Sequence, residues 1–307
     1  MKQFSGKAFL APIDGYTNLP FRLLCQKHGA DFTTVPLINS IAIARTPSRV
    51  AALIDANKKE KSVGLQLVGS NPEDFVKATK TIDSAFPSLK FFNLNCGCPS
   101  ERTRDSGGGS ALLSRPELVT KILDSMRANT NKPISAKIRL KNSTKDSISF
   151  AKTISCHCDF LIVHGRTVKQ KYSGECDWNA IKEIKEHIEI PLIGNGDIRS
   201  LAQGRDLIKN NFCDSFMIAR AAMSNPLVFE GKIPSNRQKL ELFSDYLKIS
   251  RQTKILEIAG LRLKAMQFLK GAEGSAKLRL KISRAKTLGE LEKLVSESSH
   301  LIIKSES

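Results

Sequence analysis

The chain is 307 residues long, 41% hydrophobic and 25% charged, a globular composition that argues against intrinsic disorder and allows one large core beside a smaller domain. It has no apolar run of about 18 residues and no apolar stretch or small-residue cleavage site behind its N-terminal MKQFSGKAFLAP, so no membrane span and no secretory signal are expected and the location is read as cytoplasmic. Its 48 Lys and Arg face 30 Asp and Glu, a net charge of +18, which suits a polyanionic partner as well as it suits a merely lysine-rich surface.

Seven cysteines, an odd number in a long chain without a signal, argue against a disulfide framework. In chain order, short apolar runs recur as AFLAP, FTTVP, VGLQLVG, FFNLNCG, ISAKIRL, FLIVHG, IPLIGNGD and SFMIARA. Amphipathic segments separate most of them. NPEDFVKATKTI begins with Asn71 as N-cap and Pro72 in the first turn, and SRPELVTKILDSM repeats the device with Ser114 and Pro116. Eight strands in βα alternation predict a TIM barrel, a (β/α)8 fold. An open doubly wound sheet would carry a glycine-rich first turn, and LAPIDGYTNLP is not one.

Beyond the barrel, predicted over 1–231, a linker is placed at 232–237 and a basic helical domain at 238–307. Apolar residues there recur at three- and four-residue spacing until Gly271 and Gly274 interrupt them. No repeat or low-complexity segment is evident.

The chemistry of a TIM barrel lies at the C-terminal ends of its strands. Read in order, those ends carry Pro12, Ile13, Asp14 and Gly15, then Gln66, then Asn95 to Pro99 with Cys96 and Cys98. Lys137 and Arg139 follow, then His164 to Thr167 with Arg166, then Asn195, Gly196 and Asp197, and last Ala219 and Arg220. Taken singly, each has a plain structural reading: a salt-bridged lysine, a satisfied histidine, a common turn. Taken together they read as the lining for one large polar ligand. A zinc site built from Cys96, Cys98, Cys156, His157 and Cys158 is the competing account of the cysteines. Their C-x-C spacing, in place of C-x-x-C, speaks against it, and no metal is expected.

These segments resemble the tRNA-dihydrouridine synthases: LAPIDGYTNLPFR, NLNCGCPS, GGGSALLSRPELV, AKIRL, VHGRTVKQKYSGECDW, IPLIGNGDI, MIARAAMSNPLVF and the helical tail. The resemblance implies a barrel that binds FMN, takes electrons from NADPH and reduces uridine in tRNA to 5,6-dihydrouridine. By similarity Pro12–Gly15 pass the flavin ring and Gln66 and Lys137 bond its polar edge with His164 beside them. Asn195–Asp197 with Ala219 and Arg220 hold its phosphate. Cys98 is then the acid that protonates C5 of uracil, and Asn95 bonds the uracil or orients the loop. Arg102, Arg104, Arg139 and Arg166 near the mouth, with Arg279, Lys281, Arg284 and Lys286 on the tail, are assigned to tRNA phosphates. Three positions depart from the family pattern: Ala219 stands where glycine is usual, Ile13 where methionine is common, and a lysine expected near Asp105 is missing. A monomer without a stable protein partner is expected. Two other readings stay open: a flavin barrel acting on a free pyrimidine, and an RNA-binding module on a barrel that has lost its chemistry.

Overall fold

Apolar runs buried on both faces are what a parallel sheet covered by helices demands, and all eight become strands. A computed structural model describes residues 2–49, 54, 60–271 and 275–303. The strands are β1 (Ala8–Leu10), β2 (Thr33–Asn39), β3 (Val63–Val68), β4 (Phe91–Cys96), β5 (Ile134–Leu140), β6 (Phe160–Thr167), β7 (Leu192–Asn195) and β8 (Ser215–Ile218). They form one parallel sheet in the order β1-β8-β7-β6-β5-β4-β3-β2. A parallel bridge from Phe9 to Phe32 closes it, with the Leu10 amide donating to Phe32 O at 2.8 Å and the Asp31 amide to Ala8 O at 2.9 Å. The fold is the predicted (β/α)8 barrel with a helical C-terminal region.

Between the strands the helices follow their start signals with one exception. Asn71 Oδ1 accepts from the Glu73 amide at 3.1 Å and Pro72 opens the helix Pro72–Ala85, as predicted. Ser114 does not cap the next long helix. It ends the 3-10 turn Gly109–Ser114 and gives its hydroxyl to Ala111 O at 3.0 Å, so Pro116–Arg127 starts from Arg115 without a side-chain cap.

The barrel interior is divided. Its lower half is apolar: Phe9, Phe91 and Phe160 from three strands and Phe32 just before β2, with Ile162, Ile193 and Met217, form a core separate from the larger one between strands and helices. Phe4, from the turn Lys2–Phe4, plugs the bottom with its ring 4.3 Å from Phe160 and 5.3 Å from Phe32. Ser215 Oγ holds the turn by donating to Phe4 O at 2.5 Å. Gly64 is required here, since the Phe91 ring fills the space a Cβ would occupy, 2.2 Å away. With that half filled, polar side chains are left to the upper half.

In the C-terminal region, Asn236–Thr253 starts with a capping box between Ser235 and Gln238. The long apolar pattern breaks earlier than Gly271: Lys254 turns left-handed at φ 59°, and Ile258–Phe268 follows. Gly274 lies outside the described residues. This region sits against the first and last barrel segments. Lys264, 1% exposed, donates to Tyr16 O at 2.5 Å and lies 3.0 Å from the Tyr16 ring centre and 3.7 Å from that of Phe21. Burial pushes its pKa well below that of a free lysine. Asn18 Nδ2 donates to the Tyr246 hydroxyl at 2.9 Å. Below them, buried Arg22 makes a two-pronged bond to Glu60 at 2.8 and 2.9 Å and donates to Thr17 O. Among the described residues no helix is long and apolar enough to cross a membrane.

Phe4→Ala opens the floor of the inner core and is expected to cost about 3–5 kcal/mol of stability. Denaturant unfolding checks this, and a loss below about 1 kcal/mol would mean that the turn is not a packed plug.

Candidate active site

Side chains alternate across a strand, so in β4 Asn93 and Asn95 share the inner face while Cys96 points out. The register sets Asn93 beside Gln66 and Ser135, and Asn95 beside Lys137. Buried amides must be paired, and these pair with each other. Asn95 Nδ2 donates to Gln66 Oε1, Gln66 Nε2 to Asn93 Oδ1, and Asn93 Nδ2 to Ser135 Oγ, each at 2.8 Å. Asn95 Oδ1 is left to accept the amides of Gly97 at 3.0 Å and Cys98 at 2.9 Å. These bonds are of the kind the second of its two expected roles, orienting the loop, calls for.

That loop brings Cys98 to the mouth, partly exposed, with Sγ 3.4 Å from Ser100 Oγ and 3.7 Å from Thr103 Oγ1. Cys96 is fully buried in the outer core, where burial pushes its thiol pKa up. The two cysteines therefore face different environments, and among the described residues no three His, Cys, Asp or Glu side chains gather as a metal site would need.

Next to Asn95, Lys137 Nζ donates to Asn195 Oδ1 at 3.1 Å, and Asn195 Nδ2 donates to Met217 O at 2.9 Å. The lysine's pKa is pushed down to about 7, by burial first and then by the Arg139 charge. His164 is 9% exposed and its pKa falls to about 2, again through burial and then through Lys137, Arg139, Arg166 and Arg220. The imidazole is therefore neutral. Asp197 is the carboxylate that answers this positive field. It takes Arg166 Nη2, the Cys176 amide at 3.0 Å and Arg220 Nη2 at 2.8 Å, and these contacts outweigh its desolvation to hold its pKa below the usual carboxylate range. Gly196, at φ +133°, leaves no room for a Cβ, which would lie 2.4 Å from Cys176 Sγ.

Three of the assigned residues are already engaged within the protein. Arg139 and Arg166, expected among the phosphate contacts, are 4% and 2% exposed. Arg139 donates to Gly97 O and Thr167 O at 3.1 Å and to Lys171 O at 2.8 Å, while Arg166 donates to Ser173 O at 3.3 Å and Gly174 O at 2.6 Å. Both shape the loops of the mouth, and among the described residues Arg166 Nη1 is left without a hydrogen-bond partner. Asp197, expected with the phosphate, has its carboxylate taken up by two arginines, so it orients them. Ala219 precedes the short helix Arg220–Ser224 at φ −118° and ψ −95°, outside the left-handed region that favours glycine.

Gln66, Asn95, Lys137, His164, Asn195 and Arg220 thus meet at the upper end of the barrel. Pro12 and Ile13 are half-buried at its edge, and Asp14 and Gly15 are exposed in the turn that closes with the Tyr16 and Thr17 amides on Ile13 O at 3.0 Å. Arg102 and Arg104 are exposed on the short helix Glu101–Asp105 beside Cys98. Lys281, Arg284 and Lys286 are exposed on the helical region, with Arg279 half-buried among them, and they are not part of the mouth. Sequence reading overlooks Tyr172, 63% exposed at the rim, with Arg139 and Arg220 lying 5.8 and 5.5 Å from its ring centre. An aromatic residue inside a lysine-rich loop is the available signal.

The comparisons with known proteins now bear on this geometry. Residues 9–297 match the family model described as dihydrouridine synthase (Dus). The chain belongs to the dihydrouridine synthase family. A "Probable tRNA-dihydrouridine synthase" of Aquifex aeolicus is 30% identical over 95% of this chain and 96% of its own. One of Helicobacter pylori is 33% identical over 76% of this chain and 71% of its own, and "tRNA-dihydrouridine synthase B" of Pasteurella multocida is 29% identical over 74% and 69%. Among solved structures, a variant of NCR from Zymomonas mobilis has a TM-score of 0.53 at 13% identity, covering 75% of this chain and 88% of that one. Histamine dehydrogenase from Rhizobium sp. 4-9 has a TM-score of 0.56 at 12% identity, covering 79% and 49%. These two share the fold.

The depressed pKa of Lys137 makes a checkable claim about this dihydrouridine synthase family member. A lysine near 7 when folded and near 10.5 when unfolded leaves the unfolded chain with more protons between those values. Its contribution to stability therefore rises with pH from about 7 to about 10.5. Lys137→Met should remove that slope and stabilise the ligand-free protein at neutral pH. Denaturant unfolding across this range reads it, and equal slopes in both proteins would refute it.

Proposed function

We propose that the chain reduces uridine in tRNA to 5,6-dihydrouridine, with FMN held in the barrel mouth and NADPH as the source of electrons. What carries this reading is the electrostatics of the mouth. Among the described residues Lys137 has an amide and no carboxylate as partner, Arg166 Nη1 is buried without a hydrogen-bond partner, and His164 is kept neutral by burial and by its basic neighbours. Such a set suits an acceptor-rich group bearing a phosphate. Gln66, Lys137 and His164 would meet the polar edge of the flavin ring, Pro12–Gly15 would pass beside it, and Arg166, Arg220 and the Asn195–Gly196 backbone would hold its phosphate end.

When bound, the reduced cofactor supplies the hydride that enters C6 of uracil. The charge that then develops on the ring is quenched at C5. Cys98 gives its proton there, its partly exposed thiol standing at the mouth on the loop that Asn95 holds. The thiolate left behind recovers its proton from solvent through the exposed loop. Asn95 holds Cys98 in place through its own amide, and Pro99 keeps it out of the helical region. A uridine inside folded tRNA has to be turned out of its stack to reach this depth. Tyr172 at the rim offers a face on which a base can stack. The exposed cations of the helical region would take phosphates of the same RNA, and the reading carries with it a cytoplasmic monomer. A flavin barrel for a free pyrimidine would not call for those cations.

Cys98→Ala should keep the flavin spectrum and lose about 10²–10⁴-fold in single-turnover formation of dihydrouridine. Equal turnover in the variant would remove Cys98 from the chemistry. A purified protein without flavin would favour the RNA-binding module.

A further inference from the structure

Beside the mouth, on the side away from the helical region, the loops after β4, β5 and β6 enclose a cleft of about 830 Å³. Arg104, Arg115, Lys141, Lys169 and Lys171 line it against two carboxylates, Asp105 and Asp146. Asp146 is already engaged, accepting from Ser143 Oγ at 2.8 Å in the cap of the helix Thr144–Ser155. Ser110 also lines the cleft. It is 8% exposed, and its hydroxyl has no hydrogen-bond partner among the described residues. A buried, unpaired hydroxyl beside an excess of cations has the chemistry of an anion site whose occupant brings acceptor oxygens.

The cleft is built into the catalytic loop. Pro99, next to Cys98, forms part of its wall, and the Ser110 amide donates to Cys98 O at 3.0 Å. Arg139 binds Gly97 O on one side and Thr167 O and Lys171 O on the other, so one buried guanidinium fixes the Cys98 loop relative to the segment that bears Lys169 and Lys171. Lys171 is held at φ +49°, in the left-handed region. A flexible lysine loop would need no such anchoring.

We infer that this cleft seats the phosphodiester backbone of the tRNA strand that flanks the reacting uridine, an assignment that rests on the function proposed above. The helical region stands against the segments after β1 and β8, and in the closed barrel the ends of β4 and β5 lie across the mouth from them. The RNA strand therefore crosses the mouth, held by phosphates on both banks, with the turned-out base between. The five cations of the cleft supply position without reading bases.

The test is binding of an unmodified tRNA transcript by full-length flavoprotein, measured from low to moderate salt. Lys141→Gln/Lys169→Gln/Lys171→Gln should weaken binding about 10–100-fold and lower the slope of log affinity against log salt by about 2, near 0.7 for each phosphate no longer neutralised. Lys169→Gln alone should lower it by about 0.7, which keeps the test available if the triple variant misfolds. The outer-helix variant Lys80→Gln/Lys121→Gln should leave the slope as in wild type. An unchanged slope in the cleft variants overturns the inference. So does a raised KM for NADPH with tRNA affinity intact, because the cleft would then hold the dinucleotide phosphate. Wild type that binds tRNA yet forms no dihydrouridine would overturn the functional reading instead, while the salt slope still decides the cleft.

Discussion

A closed eight-stranded parallel barrel has an interior wide enough only for side chains, and how that space is shared governs the rest of this molecule. Phenylalanines from three strands, from just before β2 and from the N-terminal turn fill the lower half. The upper half then has room for polar groups but no water-rich volume in which to solvate them. Gln66, Asn93, Asn95 and Ser135 answer by bonding in series across three strands. The acceptor left at the end of that series catches the Cys98 amide. The place of the proposed acid is thus a consequence of how buried amides satisfy one another.

The charges of the mouth follow a second constraint. Lys137, Arg139, Arg166 and Arg220 converge on His164, and Asp197 is the carboxylate among them. Arg139 and Arg166 meet the cost of burial by bonding backbone carbonyls, which turns them into braces for the loops around the mouth. Lys137 bonds an amide, and burial followed by the Arg139 charge pushes its pKa down. Positive potential is thereby concentrated on the floor and walls, where a phosphate-bearing group would be held, and the exposed rim is left to arginines and lysines that can meet RNA.

The helical region is joined to the barrel at the first of the mouth loops. Lys264 reaches into a cage of Tyr16 and Phe21, and the Tyr16 hydroxyl donates to Met223 O at 2.5 Å on the segment after β8. One tyrosine therefore touches the helical region, the Pro12–Gly15 turn and the last barrel segment. A rigid joint at this point keeps the basic helices in a fixed relation to the mouth, which a surface for a folded RNA requires.

The sequence by itself determined the eight strands, their alternation with helices, the order of polar residues at their ends and the cysteine beside proline. Each of these is local: apolar period, capping residues and strand-end chemistry are written within a few neighbours. It also set the net charge. Which bank of the mouth carries that charge, which of two cysteines one residue apart faces it, and that Arg139 and Arg166 are braces inside while Lys141, Lys169 and Lys171 line a cleft were decided by the tertiary structure alone. The burial and partners of Lys264, and the unpaired hydroxyl of Ser110, belong with them. Burial and hydrogen-bond pairing arise between residues far apart in the chain, and a guanidinium reads the same in the sequence whether it will meet solvent or a carbonyl from another strand.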